Sequence, residues 1–367
     1  MSTKKDKFSN KDKLYMKIAL DLARSRHGLT GPNPSVGCVI VKNDIIISVG
    51  ATSYNGRPHA EYNAIKNCTE DLQGSEMYVT LEPCCHKGLT PPCTKFIIKS
   101  KISKVTYSIA DIDSRVRNKS FKILKSNKII VKKGLLKKEI EKFYYPYFFN
   151  RKNKLPFVTG KIAVSKNNLI YSKINKKITN IHSDKFSHLL RYKNDALMIT
   201  YKTLNKDNPK LNCRLKGLNK YSPKRVILDN KLNSKLNSYV INTANKNNTL
   251  IFYNNADKSK ILNFKRRGIK LIKSKINKQN RFDIKIILKK LYNLGTRNLL
   301  IEGGDILTRS LLKNKIFNEF YLFKSPKNFS TSSEYLKFNS LNALNQKYKK
   351  KIDLNLNLRK DRITLYR

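Results

Sequence analysis

The pattern that most constrains this chain is His59-Ala60-Glu61, followed by Pro83-Cys84 and then by Pro91-Pro92-Cys93. One imidazole and two thiolates make a three-ligand zinc site. Such a site keeps its fourth tetrahedral position open, which separates a catalytic zinc from a closed structural one. The sequence must therefore fold so that His59, Cys84 and Cys93 meet at one point. Glu61 need not bind metal, and a carboxylate beside a metal-activated water is placed to move protons. The rival reading is a closed structural zinc with Cys85 or His86 as fourth ligand. It would leave Glu61 without a purpose.

The residues around the motifs predict how they are delivered. Val36 to Val41 and Ile45 to Val49 are β-branched runs separated by Lys42-Asn43-Asp44, which reads as a hairpin. Pro58 then starts a helix with Ala60, Ala64, Ile65 and Cys68 on one face. Met77 to Leu81 is a strand stopped by Glu82-Pro83, and Pro91-Pro92 precedes a second helix. Two helix starts should face one point, His59 on one and the cysteines on the other. Their partial positive ends favour the thiolate form. Cys38 and Cys68 read as small core residues on apolar faces, and Cys213 as unremarkable.

A chain of 367 residues predicts two domains. We place them at 10–149 and 154–367. The aromatic run Phe143 to Phe149 closes the first, Asn150 to Lys154 is a polar link, and a new strand, Phe157 to Val164, follows Pro156. The start, Met1 to Lys13, is charged and polar, without a hydrophobic signal core. Leu14, Ile18 and Leu22 repeat behind it at helical spacing. No apolar run approaches the roughly 20 residues of a membrane span. Six cysteines without a secretory signal suit a reducing, cytoplasmic setting, with no membrane partner.

The net charge of +52 tempts one toward nucleic acid. A binding footprint clusters Lys and Arg on one face, whereas here they run from Lys4 to Arg367 and 60 of the 77 are Lys. Trp is absent, Gly is scarce, and Lys, Asn and Ile abound. That combination reads as codon composition, so no specific nucleic-acid partner is expected. Part of the charge could still steer an anionic substrate.

In the second half, strands and helices alternate. Asp195 to Thr200, Lys224 to Leu228, Thr249 to Tyr253 and Leu299 to Ile301 read as buried strands, with Ser183 to Tyr192 and Asp283 to Leu294 as helices. This rhythm implies an α/β sheet with crossover helices. Leu299-Leu300-Ile301-Glu302-Gly303-Gly304 runs a buried strand into two glycines and a helix. Glycines there let backbone N–H groups approach an anion. Without further context, the same turn is more readily an ordinary tight connection.

Asn33-Pro34-x-Val36-Gly37, His59-Ala60-Glu61 and the segment Glu82 to Cys93 together resemble the bifunctional riboflavin-biosynthesis deaminase/reductases. Most zinc deaminases space the cysteines as Cys-x-x-Cys. The eight residues between Cys84 and Cys93, ending Gly-x-Thr-Pro-Pro-Cys, are typical of the riboflavin enzymes. The resemblance continues into the second half. It implies an α/β chain with an N-terminal cytidine-deaminase-like three-layer domain and a C-terminal dihydrofolate-reductase-like domain. One zinc and NADPH are the implied cofactors, and a phosphorylated pyrimidine ribotide is the implied substrate.

Residue by residue, the resemblance implies zinc on His59, Cys84 and Cys93, and Glu61 as general acid/base, the role a glutamate there plays in zinc deaminases. Asn33, Arg191, Leu211, Arg214 and Glu302 would meet substrate. Ala163, Lys177, Thr203, Asp207, Asn230, Gly303 and Gly304 would meet the nicotinamide cofactor. Arg rather than Lys at 191 and 214 suits bidentate phosphate binding.

The departures cluster in the second half. Ser165-Lys166-Asn167-Asn168 stands for Ser-Leu-Asp-Gly, Lys177 for a Trp, and Asn208 for the second Asp of Asp-Asp-Pro. In the first half Asp111-Ile112-Asp113-Ser114 replaces an Asp-Pro-Asp-Pro-type segment, with Asn118 and Ser120 at glycine positions. The rival functions are a deaminase with a decayed reductase, a nucleic-acid deaminase, and a non-enzymatic zinc-stabilised binding protein. A homo-oligomer is left open.

Overall fold

The computed structural model describes residues 8–175 and 177–367. The charged start read from Met1 to Lys13 lies outside them up to Lys7. The chain divides into two compact units, Met1–Lys154 and Leu155–Arg367.

The first unit runs α1 (Asn10–Ser25), β1 (Gly37–Lys42), β2 (Ile45–Ala51), α2 (Ala60–Asn67), β3 (Glu76–Leu81), α3 (Cys93–Lys99), β4 (Lys104–Ile109), α4 (Lys119–Ser126), β5 (Ile130–Lys133) and α5 (Lys137–Asn153). Its sheet is ordered β2-β1-β3-β4-β5. β1 is antiparallel to β2 and β3, while β3, β4 and β5 are mutually parallel. The hairpin turn is Asn43-Asp44, both at positive φ, a backbone these short polar residues tolerate.

Helices cover both faces of this sheet. Gly37 and Gly50 show why two of its strands carry a glycine. A Cβ on Gly37 would run into the Ala19 carbonyl of α1, and one on Gly50 into the Ala60 carbonyl of α2. The two helices thus sit flush against the sheet. α2, α3 and α4 touch in succession, and α1 is tied to α5 by Arg24–Glu139 at 2.9 Å.

Several local expectations need correction. In α1 the buried stripe is Tyr15, Met16, Ala19, Leu20 and Ala23, and Leu14 is exposed. Ser9 and Asp12 form a capping box that sets the start of this helix. α2 begins at Ala60 with His59 as N-cap, not at Pro58, and Cys68 is its half-buried C-cap. The stretch 150–154 is no extended link. α5 runs through the aromatic run and on to Asn153, and Lys154 in the left-handed conformation ends it. Seven of its 17 residues are Lys, Glu or Arg, good helix formers, and the helix carries Pro146 within it.

The second unit continues with β6 (Phe157–Val164), β7 (Leu169–Ser172), α6 (Ile181–Tyr192), β8 (Ala196–Thr200), α7 (Tyr201–Asp207), β9 (Lys224–Leu228), α8 (Tyr239–Asn242), β10 (Thr249–Tyr253), α9 (Lys258–Arg266) and β11 (Lys270–Lys273). Then follow α10 (Ile284–Asn293), β12 (Asn298–Ile301), α11 (Asp305–Lys313), β13 (Glu319–Lys324), β14 (Tyr335–Lys337), α12 (Leu341–Lys347), β15 (Lys351–Asp353) and β16 (Arg362–Tyr366). The main sheet is ordered β11-β10-β9-β8-β12-β6-β13-β16-β15, and β14 pairs β7 separately. β11 through β13 in that order are parallel; β16 and β15 are antiparallel additions.

The buried strands read from sequence are the centre of this sheet. Alternate residues feed two cores: Ala196, Met198, Leu299 and Ile301 one, Leu197, Ile199 and Leu300 the other. Both faces are covered, so the strands are continuously apolar. From β6 the chain moves outward through β8 to β11, then returns to insert β12 between β8 and β6. That reversal opens a crevice at the carboxyl ends of the strands, where ligands bind in open α/β sheets. No helix of the described residues is long and apolar enough to cross a membrane.

Candidate active sites

In the first unit, β3 delivers Cys84 just past its end. His59 caps α2, and Cys93 is the first residue of α3. Cys84 therefore sits in the loop, not on a helix with Cys93. His59 Nδ1 is 3.4 Å from both Cys84 Sγ and Cys93 Sγ. The three donor atoms lie within 4.8 Å of one another. Zinc bonds of about 2.3 Å to sulfur and about 2.0–2.1 Å to nitrogen, at tetrahedral angles, put S···N edges at about 3.6 Å. The donors fit that metal. Among the described residues Cys85 and His86 are outside this cluster, and Cys85 Sγ instead lies 3.5 Å from the Arg115 carbonyl.

The start of α3 also tunes the ligands. The Cys93 backbone N–H donates to Cys84 Sγ at 3.2 Å. Hydrogen bonding with Cys93 and with His59 outweighs burial and holds the Cys84 thiol down to about 4. Glu61, in the first turn of α2, is 3% exposed. Burial, with Cys84 adding, pushes its carboxyl up to about 7, against the pull of His59. It stands beside the three donors without joining them.

A pocket opens over this cluster, lined by Asn33, Glu82, Asp111 and Tyr147 among others. Asn33 Nδ2 donates to the Gly56 carbonyl at 3.0 Å. Tyr147 OH donates to Asp111 Oδ1 at 3.1 Å, and burial pushes the Asp111 carboxyl up. Sequence reasoning missed Asp111 and Tyr147 as pocket residues. The signal for Tyr147 was the aromatic run itself, whose spacing on α5 turns Tyr144 and Tyr147 inward.

In the second unit the carboxyl ends of parallel β6, β8, β9 and β12 gather Ala163, Thr203, Asn230 and the Glu302-Gly303-Gly304 turn. Gly304 is the N-cap of α11, supplies no side-chain cap, and would have nothing within 4 Å of an added Cβ. An added Cβ on Gly303 would meet Leu307 Cδ2 at 2.8 Å. The start of α11 thus presents bare backbone, which suits a cofactor phosphate.

Beside it Arg191 forks onto Glu302, Nε to Oε1 at 3.0 Å and Nη2 to Oε2 at 2.7 Å. Burial alone would raise the Glu302 carboxyl, but Arg191 and then Lys161 outweigh it and bring it to about 2. Arg191 Nη1 also donates to the Asn212 carbonyl at 3.2 Å. Lys161, on β6 one residue beyond the Gly160–Ile301 register, holds its Nζ 4.9 Å over the Phe323 ring; burial lowers its ammonium, and the charge of Glu302 acts against that. Sequence reasoning missed Lys161, since one lysine among 60 carries no signal.

Residues 9–109 match the family described as the cytidine and deoxycytidylate deaminase zinc-binding region, and residues 168–332 match the RibD C-terminal domain. The riboflavin biosynthesis protein RibD of Actinobacillus pleuropneumoniae is 36% identical over 85% of this chain and 83% of its own. That of Aquifex aeolicus is 35% identical over 86% and 87%. The chain belongs to the RibD family. Among solved structures, Acinetobacter baumannii RibD superposes with a TM-score of 0.82 at 26% identity, covering 97% of this chain and 98% of that one. A diaminohydroxyphosphoribosylaminopyrimidine deaminase/5-amino-6-(5-phosphoribosylamino)uracil reductase from Thermotoga maritima gives 0.80 at 29% identity, with the same coverage.

The family establishes the fold expected from sequence, a cytidine-deaminase-like domain followed by a dihydrofolate-reductase-like one. It is a family of zinc deaminases and NADPH-dependent reductases, acting on phosphoribosyl pyrimidines in riboflavin biosynthesis. A match over both halves leaves the nucleic-acid deaminase and the non-enzymatic zinc protein without support.

Not every predicted contact residue joins these clusters. Lys177 is exposed, and its Nζ is 2.7 Å from Asp184 Oδ2. Arg214 is exposed, with Nη1 3.1 Å from Asn212 Oδ1. Asp207 ends α7 at the surface, and Leu211 is buried at a φ of 51°. Arg214 and Leu211 share one loop, which His188 holds: its Nδ1 lies 3.2 Å from the Asn212 carbonyl and 3.3 Å from the Arg214 N–H.

Proposed function

We propose that the first unit deaminates a diaminopyrimidinone ribotide and the second reduces the resulting aminouracil ribotide. His59, Cys84 and Cys93 would hold zinc, which would make a water a competent nucleophile near neutral pH. Glu61 receives the proton of the water that adds to the amino-bearing ring carbon. It returns protons to the ring nitrogen and to the departing amino group, so that water enters and ammonia leaves. Asn33 grips the pyrimidine.

In the second unit the crevice would hold NADPH, whose chemistry there would be hydride donation at the ribose C1, opening the sugar to a ribityl chain. Gly303 and Gly304 seat a cofactor phosphate, with Ala163, Thr203 and Asn230 along the same crevice. Asp207 and Lys177 border the cofactor from the surface. Glu302, fixed by Arg191, orients the ribotide. Arg214 and Leu211 approach it from their shared loop, and Lys161 is placed to give the ring oxygen its proton.

The observation that carries the reading is the open His59–Cys84–Cys93 triad with Glu61 buried beside it. Incubating the protein with the diaminopyrimidinone ribotide, with and without NADPH, tests it. Aminouracil ribotide should form in both cases and its ribityl product only with NADPH. Absence of ammonia release would refute the deaminase assignment.

A further inference from the structure

Arginine charge lines the zinc-side pocket, and the chemistry above does not use it. Arg57, Arg115 and Arg151 all face this pocket. Arg115 spends its charge on Asp113, at 2.6 Å. Arg151 lies over the Tyr147 ring and donates to the Pro32 carbonyl at 3.4 Å, with its charge lowering Asp111 and Asp113. Neither Arg151 nor Arg57 has a carboxylate within ion-pair distance among the described residues, but Arg151 is turned onto the Tyr147 ring, whereas the one hydrogen bond of Arg57 runs from Nη1 to Thr90 Oγ1, on the loop between the zinc-ligand cysteines, at 2.6 Å.

That bond leans the guanidinium across the loop between the two zinc-ligand cysteines. A Cβ on Gly88 would sit 3.4 Å from Arg57 Nη2 and 4.0 Å from His86 Nε2. Bare Gly88 therefore leaves a hollow with a guanidinium on one side and an imidazole nitrogen on the other. An unpaired guanidinium fork matches a phosphate, which it can bind through two parallel N–H···O bonds.

We infer that Arg57, with His86 across the gap over Gly88, seats the phosphate of the deaminase substrate and makes this site prefer a ribotide to its riboside. This rests on the deaminase reading above. Phosphate binding at the pocket mouth leaves the pyrimidine to reach the zinc triad.

The test compares kcat/KM for the ribotide and the dephosphorylated riboside in the zinc-loaded protein, in wild type and in Arg57→Gln, Arg57→Lys and Gly88→Ala. Wild type should prefer the ribotide. Arg57→Gln should lower its kcat/KM about 10- to 100-fold, the worth of a charge-assisted pair, through KM. Riboside turnover should not change, so the preference collapses, and Arg57→Lys should restore part of it. Gly88→Ala, which fills the hollow and leaves the charge in place, should weaken the preference as well. Zinc content of each purified variant reports that the first unit has folded around its metal site. An undiminished ribotide preference in Arg57→Gln overturns the inference. If that variant loses zinc, an undiminished preference in Gly88→Ala overturns it. Wild type that deaminates neither compound refutes the deaminase reading, and this inference with it.

Discussion

The zinc centre and the reductase crevice were built by opposite strategies. The zinc centre draws on two helix starts and one strand end within 35 residues, from His59 to Cys93. The crevice draws on four strand ends between Ala163 and Gly304, and its one tight pair, Arg191–Glu302, is separated by 111 residues. A site made of adjacent motifs must keep its residue types, because three donor atoms have to meet one metal. A site spread over a sheet borrows backbone and shape, which many side chains can surround. The departures from the family pattern spare the metal ligands, although Asp111 to Ser114 borders the zinc-side pocket and the others divide between the two halves.

The sharpest way to break this comparison is to remove a donor. Cys84→Ala or Cys93→Ala should lose zinc and deamination together, while Cys85→Ala should lose neither; metal analysis of the purified variants decides. Zinc depletion in Cys85→Ala would mean that the ligand set is wrong. Next, Glu61→Gln should keep zinc and lower deamination by about 10² to 10⁴, the usual worth of a positioned acid/base.

In the crevice the largest effect should come from Glu302→Gln. It strands a mostly buried guanidinium, and breaking such a pair costs about 3–5 kcal/mol. Denaturant melts of the reductase unit would read it. The same pair predicts an acid dependence. Glu302 is held to about 2 against an ordinary value of 4.5, so its contribution is complete above pH 4.5 and fades as pH falls toward 2. Wild type should lose more stability through that window than Glu302→Gln, which keeps only the contributions of the other lowered carboxylates such as Asp113. The smallest effect belongs to Lys177→Trp. An exposed ammonium engaged with Asp184 cannot cover a nicotinamide ring, whereas an indole can. Cofactor titration by fluorescence should show modest tightening, and an unchanged affinity would place Lys177 away from the cofactor.

What could be read from sequence follows the same division. The zinc ligands, Glu61 and the central strands β8, β9, β10 and β12 were legible, because metal spacing and continuous apolar runs are local signals. The helical stretch 150–153 was not, since its polar residues look alike in a link and on an exposed helix face. Leu14 misled for a related reason: a 3.6-residue stripe has two flanks, and tertiary packing chose Met16 and Leu20. Lys161 and Arg57 were invisible in so basic a chain. Only the fold shows which lysine is felt by Glu302 and which arginines face the zinc-side pocket.

The claim that two separable chemistries share this chain is tested most directly in Glu61→Gln. The variant is given NADPH with either the diaminopyrimidinone ribotide or the already deaminated one, and its zinc is measured. The account predicts retained zinc, almost no NADPH oxidation with the first compound, and wild-type oxidation with the second. Undiminished turnover of the first compound, or zinc lost along with activity, would contradict it.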